Sequence, residues 1–393
     1  MAEHSIIKTR RRFIFPFAAY VGTVFGAGLY SIPYVMSQSG IWIFALSLII
    51  VSILVLLVNL LYAEVVVSTS KSERFLGYVE QFFGARMKHL FGWITIIGFW
   101  GTFLAYLLIL GQFAKTVFGS FIPLSELSFS LIFFILAFIA VRRGSKTLER
   151  MDVIMLGVVA VLFLVLFGLG ADHISTIIFG PQSVVGYFLP YGTIMFALWG
   201  AGVIPEVINQ LRGRRQQIKK LLIYGTMIPV IVELVFALFV VSISGNATSR
   251  EAFLGLAPFL GKSIVVLGSL IGLVTVMLAY NNLAWVARNI LMFDLKQPKL
   301  LAIAGSVLPS VVLLLLGVHN FTLLISINGA IFLALEGLMI FSLYNKSRTL
   351  EKDIAPSILR HNVNRTVVRT GIVIFVVGLI VEVSLLLYEF ILQ

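Results

Sequence analysis

The stretch "GTVFGAGLYSIPY" (residues 22–34) puts three glycines and a proline inside the first strongly apolar segment of the chain. Glycine weakens a helix interior by about 1 kcal/mol relative to alanine, and proline by about 3 kcal/mol. A segment that had only to cross a bilayer would not gather its poorest helix formers there. The stretch predicts an interruption in the middle of a spanning helix.

The pattern returns further along. Gly26-Ala27-Gly28 recurs as Gly200-Ala201-Gly202, 174 residues later. Pro16 and Pro190 each lie ten residues before their copy, an aromatic (Phe25, Trp199) directly precedes each, and Pro33 and Pro205 follow at different spacings. The two stretches are "PFAAYVGTVFGAGLYSIP" (16–33) and "PYGTIMFALWGAGVIP" (190–205). Small residues alone also suit close helix packing, so Gly22, Gly26 and Gly28 have that second reading. Matching flanks at matching offsets favour a structural repeat with a broken helix in each half.

The surroundings fix the environment. The chain has 393 residues, 60% hydrophobic and 12% charged, with a mean hydropathy of +1.05. No soluble domain needs that much apolar surface. The expectation is an all-α polytopic membrane protein. There is no cysteine, which excludes disulfides, thiolate metal sites and cysteine nucleophiles. The five histidines show no metal spacing, so no metal cofactor is expected. The net charge of +12 sits in short loops between apolar runs, which speaks against nucleic acid. The basic start, Lys8 and Arg10 to Arg12, precedes an apolar run too long for a signal peptide, and it is read as a retained first span.

Eleven apolar runs are long enough to cross: 13–37, 40–66, 90–118, 125–141, 153–170, 187–209, 221–245, 263–294, 300–317, 319–344 and 367–392. With the N-terminus in the cytoplasm, all of the 29 basic residues except Lys115, Arg250 and Lys262 fall on the inside. That bias sets the expected orientation in the cell membrane, with the C-terminus outside. The two Gly-Ala-Gly copies lie in spans one and six, with four spans between them, so they cross in opposite directions. "KSERFLGYVEQFFG" (71–84) places Phe75, Leu76, Val79, Phe82 and Phe83 at helical spacing, and is expected to lie as a helix in the cytoplasmic interface.

Broken helices have a chemistry of their own. Unpaired backbone groups at mid-membrane are expensive unless a cavity, water or ligand satisfies them. The half-helix starting near Gly28 points its positive end into the gap, where a carboxylate is favoured. Carbonyls near Val24, Phe25, Phe196 and Ala197 suit a cation or an ammonium. An α-amino acid carries both groups about one carbon apart. The expected binding residues are therefore Gly22, Thr23, Val24, Phe25, Gly26, Ala27 and Gly28 with Phe196, Ala197, Trp199, Gly200, Ala201 and Gly202.

"GTVFGAGLYSIPY" resembles the first helix of the amino acid/auxin permease family, within the larger amino acid-polyamine-organocation superfamily, and above all its bacterial hydroxy- and aromatic-amino-acid permeases. "FALWGAGVIPEV" (196–207) is similar to their sixth helix, "FLGYVEQFFG" (75–84) to the cytoplasmic helix of related permeases, and "AYLLILG" (105–111) to the third-helix run in which Tyr106 would face substrate. The resemblance implies a LeuT-like fold: a cytoplasmic N-terminus (1–12), inverted repeats at 13–170 and 187–344 joined by an extracellular linker (171–186), a cytoplasmic loop (345–366) and an eleventh helix (367–393). Two departures stand out. Ala201 occupies a place where that branch often carries histidine. "LAYNNLAW" (278–285) puts Asn281 and Asn282 near the serine or threonine pair of sodium-dependent relatives, so a sodium at Gly22, Phe25 and Asn281 is one option.

Glu64, Glu206, Glu233, Glu336 and Glu382 lie within spans, where carboxylates by default mark ion or proton paths. Glu206, directly after the second break, is the preferred proton relay, with Arg212 as an alternative structural partner. Glu233, Asn281 and Asn282 are further coupling candidates. Trp100 is a candidate pocket aromatic. Arg288 is expected to snorkel or to pair with Asp294.

The leading expectation is a secondary active transporter of neutral, apolar or aromatic amino acids, coupled to protons in preference to sodium. Spans one, two, six and seven would rock against three, four, eight and nine. Nothing resembles a nucleotide-binding motif, and no catalytic constellation points to an enzyme. The alternative is an amino-acid-sensing receptor subunit of the same fold, like those that detect germinants. Expected partners are a small amino acid and the lipid bilayer, with the chain a monomer or weak homo-oligomer.

Overall fold

The computed structural model describes residues 2–69, 73–142, 145–170, 172, 180, 182, 185–211, 214–350, 358–359 and 363–392. The first span is broken where its glycines predict. Helix α1 (Ala2–Val24) stops, Phe25 to Ala27 are non-helical, and α2 (Gly28–Ser39) resumes. The halves Phe13–Val24 and Gly28–Ser39 meet at 47°. The second break follows the same plan. Helix α8 (Leu189–Leu198) ends at Trp199, whose extended ψ of 115° cannot continue a helix. A single 3₁₀ turn (Ala201–Val203) leads into α9 (Ile204–Gln210).

The other helices are α3 (Ile41–Ser68), α4 (Phe75–Phe83), α5 (Ala85–Phe118), α6 (Glu126–Arg142), α7 (Ser145–Gly170), α10 (Arg215–Ser244) and α11 (Ala257–Asn289, with a π-helical end Ile290–Asp294). They are followed by α12 (Lys299–Leu315), α13 (Phe321–Ile327), a π segment (Asn328–Leu333), α14 (Ala334–Leu350) and α15 (Arg365–Leu392). No strand occurs among the described residues. A helix stands at each of the eleven expected spans. Seven are long and apolar enough to cross a membrane, eight if the bent pair counts as one. Helices α6 and α12, at 17 residues each, reach about 26 Å against a hydrocarbon core of about 30 Å.

Helix α3 shows how spans with no polar face are placed. Trp42, Leu46, Ile49 and Ile53 recur on one outward stripe, while Phe44, Leu48, Val51, Val55 and Val58 are buried. One face meets lipid and the other meets protein, so both are apolar. Helix α4 is amphipathic as expected, with Phe75, Leu76, Val79 and Phe82 buried and Glu80 outward. Lys88 of α5 donates to Glu80 Oε2 at 2.6 Å and holds its carboxyl below the usual range. At Gly40 (φ +75°), a Cβ would stand 2.5 Å from the Gly180 carbonyl carbon, so only glycine makes this turn.

Packing divides the helices into two groups. The broken pairs α1–α2 and α8–α9 pack with α3 and α10, whereas α5, α6, α11 and α12 pack on one another. Helix α7 touches α1 and α11, and α13–α14 reaches α3, α5 and α8. Helix α2 lies beside α8, and α1 beside α9, so the two interrupted helices run antiparallel.

Two intramembrane carboxylates, and Asp294 at the end of α11, acquire structural partners. Glu64 accepts Arg348 Nη2 at 2.7 Å and the N–H groups of Ile358 and Leu359 at 2.9 and 3.1 Å. It clamps the connection after α14 and is not a free ion ligand. Glu382 accepts the Ser326 hydroxyl at 2.6 Å. Asp294 stands 3.9 Å from Arg74. Arg288 donates to the Val141 carbonyl at 3.1 Å and forms no ion pair with Asp294 among the described residues.

Candidate functional site

The two breaks meet at the centre of the molecule. A Cβ on Gly28 would fall 2.5 Å from Ala197 Cα and 2.8 Å from Ala197 Cβ, so glycine lets the backbones touch. A Cβ on Gly26 would lie 2.5 Å from the Tyr106 hydroxyl, and one on Gly200 would lie 2.7 Å from the Tyr20 ring. A Cβ on Gly202 would meet nothing within 4 Å.

Backbone pairing fails where the helix stops. Phe25 N–H reaches Val21 O at 2.9 Å, and Gly26 N–H turns to Val24 O at 2.7 Å. Tyr30 N–H closes the first turn on Ala27 O at 3.1 Å. Among the described residues, no carbonyl takes the N–H of Ala27, Gly28 or Leu29. These are the orphan donors of the α2 N-terminus, at its positive end.

A cavity lies against Gly28, the first residue of α2. Its floor is Thr23, Val24, Gly26 and Gly28 of the first break with Trp199 and Gly202 of the second. Its walls are largely aromatic and aliphatic: Phe99 and Tyr106 of α5, Phe196 of α8, Leu283 and Val286 of α11, and Phe332 and Leu333 of the π segment. Tyr106 meets Phe196 edge-on at 6.3 Å. Polar groups are few: Thr95 and Thr102 of α5, Asn289, Glu206, Glu336 and Arg74. Glu336 Oε2 accepts the Trp199 indole N–H at 3.1 Å.

One end of the cavity is open and the other shut. Arg74, Pro205 and Glu206 also line a wider vestibule with Glu73, Glu80, Lys88 and Asp294. There Arg74 lies 4.0 Å from Glu206 and 4.7 Å over the Phe293 ring. Toward the opposite end, Tyr30 of α2 packs on Phe113, Phe236 and Phe253, with centroids at 5.1, 6.2 and 5.6 Å. The Tyr30 and Thr275 hydroxyls share a hydrogen bond of 2.6 Å. All five residues are buried, so this end is sealed.

The expected site residues divide accordingly. Thr23, Val24, Gly26, Gly28, Tyr106, Phe196, Trp199, Gly202 and Glu206 line the cavity. Gly22, Phe25, Ala27, Ala197, Gly200 and Ala201 stand behind the wall and shape the breaks. Gly22 faces Leu278 of α11, as a site shared by those helices requires, but Asn281 and Asn282 are outside the cavity wall. Asn281 Oδ1 is buried without a partner, whereas Asn282 has one. Glu233 is fully buried, neither carboxylate oxygen is bonded, and it does not reach the cavity. Trp100 donates to Gly305 O at 2.8 Å and serves packing. Arg212, the structural partner considered for Glu206, lies outside the described residues. Sequence reasoning missed the far wall. In a chain with 33 phenylalanines, nothing distinguishes Phe99 or Phe332 before folding.

The profile of the tryptophan/tyrosine permease family matches residues 13–295. No curated protein sequence matches the chain. Among solved structures, MhsT in complex with L-phenylalanine superposes with a TM-score of 0.70 at 16% identity, over 93% of this chain and 98% of that one. The Eremococcus coleocola manganese transporter, in complex with an aromatic bis-isothiourea compound, gives 0.67 at 15% identity over 96% and 87%. Mhp1, a nucleobase-cation-symport-1 family transporter with bromovinylhydantoin bound, gives 0.67 at 13% identity over 95% and 90%. Two helices broken at Gly26–Gly28 and Gly200–Gly202, the two packing groups around them and the matched profile lead to one conclusion: this chain belongs to the tryptophan/tyrosine permease family and is a multi-pass membrane transporter of LeuT-like fold.

Proposed function

We propose that the chain carries a neutral L-amino acid with an aromatic or large apolar side chain across the cell membrane, by ion-coupled symport. The observation that carries this reading is the pairing of unbonded N–H groups at Ala27, Gly28 and Leu29 with a cavity walled by Phe99, Tyr106, Phe196, Trp199 and Phe332. The substrate carboxylate sits on the α2 N-terminus, where donors and helix dipole act together. Its ammonium faces the carbonyls that end α1 and α8. Aromatic walls accept the side chain by burial and by offset or edge-on ring contacts. The family's name and the phenylalanine held by MhsT agree with that assignment.

The vestibule of Arg74 and Glu206 faces the cytoplasm in this reading, as the distribution of lysine and arginine requires. Transport proceeds when α1–α2, α3, α8–α9 and α10 tilt against α5, α6, α11 and α12. The tilt closes the Arg74 end and separates Tyr30 from Phe113 and Thr275. The coupling ion is a proton in preference to sodium. Acidic groups on the cavity are at hand, whereas the asparagines that would complete a sodium site lie off its wall.

Counterflow in proteoliposomes tests the substrate. Vesicles loaded with unlabelled L-tryptophan, L-tyrosine or L-phenylalanine should take up the labelled compound. Absence of exchange for all three contradicts the proposal. Uptake driven by an imposed pH gradient in sodium-free buffer tests the ion. A strict sodium requirement overturns the proton assignment.

A further inference from the structure

Two acidic side chains line the central cavity, Glu206 and Glu336, and they differ in their surroundings. Glu206 is 29% exposed and stands 4.0 Å from a guanidinium. Glu336 is 9% exposed. Its described hydrogen bond is the indole N–H of Trp199 at 3.1 Å, and no lysine or arginine pairs with it among the described residues. The charged groups nearby are otherwise engaged. Glu64 of α3 holds Arg348, Glu382 of α15 holds Ser326, Arg74 before α4 faces Glu206 and Asp294, and Lys346 lies over the Phe83 ring of α4 at 4.6 Å. The titratable neighbour on α3 is Tyr62, whose buried hydroxyl has no partner.

A carboxylate on a low-dielectric wall is costly without a counter-ion. A carboxyl that binds and releases a proton through the open end of the cavity avoids holding that charge throughout the cycle. Trp199 ends α8 at the second break, so the hydrogen bond joins Glu336 to an element that must move. The π segment Asn328–Leu333 directly precedes α14 and sets Phe332, Leu333 and Glu336 on the cavity wall.

We propose that Glu336 is the residue that carries the coupled proton, and that Trp199 is the positioning residue that links its protonation state to the broken helix α8–α9. The inference rests on the reading of the chain as an ion-coupled transporter. It assigns to Glu336 the role that sequence reasoning gave to Glu206.

The test uses the purified full chain. In proteoliposomes, an imposed inward pH gradient should stimulate uptake of labelled L-tryptophan by the unmodified protein. Glu336→Gln should lose that stimulation, whatever exchange rate it retains. Trp199→Phe, which deletes the one N–H, should move the pH profile of uptake. Infrared difference spectra on acidification supply a readout that needs no substrate: the protonated-carboxyl band that grows in the unmodified protein should be diminished in Glu336→Gln. Full gradient stimulation in Glu336→Gln, or an undiminished carboxyl band, overturns the proposal. A Trp199→Phe pH profile identical to the unmodified protein's overturns the link to the broken helix. If the unmodified protein exchanges no amino acid, the transport reading fails, and the infrared comparison still decides whether Glu336 takes up a proton.

Discussion

The two breaks carry the same Gly-Ala-Gly tripeptide and use it differently. In the first, Gly28 is pressed against the backbone of Ala197, and Gly26 lies under the Tyr106 hydroxyl. In the second, Gly200 receives the ring of Tyr20, while Gly202 opens onto the cavity with nothing within 4 Å. Residues related by the repeat therefore have unlike neighbours. The first break brings backbones together and presents N–H donors, and the second supplies a tryptophan and open space. A repeat in sequence predicts where helices stop. It does not predict which glycine is sterically required.

That asymmetry gives an ordered set of tests. The largest effect is expected for Gly28→Ala. Its methyl would meet backbone at 2.5 Å, and backbone cannot move aside as a side-chain end can. Overpacking of this kind costs about 1–3 kcal/mol or more, roughly a tenfold loss of affinity or worse. Equilibrium binding of labelled L-tryptophan measures it. Binding as tight as in the unmodified protein would show that Gly28 is not sterically required.

Next comes Gly200→Ala. The Tyr20 ring is also packed against Gly225, donates to or accepts from Thr226 at 3.3 Å and accepts from Asn59 at 2.7 Å. It has no free direction in which to retreat. The expected loss, about 1–3 kcal/mol, falls on stability more than on binding, and a fall in Tm in detergent checks it.

Tyr30→Phe should follow. It deletes the 2.6 Å bond to Thr275 at the sealed end, while Thr275 keeps the Ile271 carbonyl at 3.1 Å. The loss is about 1 kcal/mol, roughly a fivefold shift toward the arrangement open at the Phe253 end. Thiol labelling of a cysteine placed at Phe253 reports that shift.

The smallest effect is expected for Gly202→Ala, within about 0.5 kcal/mol on stability, since the methyl enters open space. Opposite outcomes for Gly28→Ala and Gly202→Ala would sharpen the contrast between the breaks. Equal outcomes would remove it.

Much of this arrangement is legible in the sequence. Glycine and proline clusters mark both interruptions because their helix cost is local. Apolar runs mark the spans, and helix α4 is visible from its spacing. The cavity floor follows from the breaks. The walls do not. Phe99, Phe332 and Glu336 come from segments far apart in the chain, and composition gives phenylalanine no distinguishing position. Glu336 is recognisable as an intramembrane carboxylate, but its contact with Trp199, 137 residues away, exists only after folding. Glu64 shows the converse case, since partners from beyond α14 turn an apparent ion ligand into a clamp.

A structure of the protein with L-tryptophan bound decides whether the space between the two breaks holds the substrate. The carboxylate is expected on the N–H groups of Ala27 to Leu29, and the indole among Phe99, Tyr106, Phe196 and Phe332. Density for the amino acid at any other place, with the space between the two breaks unfilled, would contradict that placement.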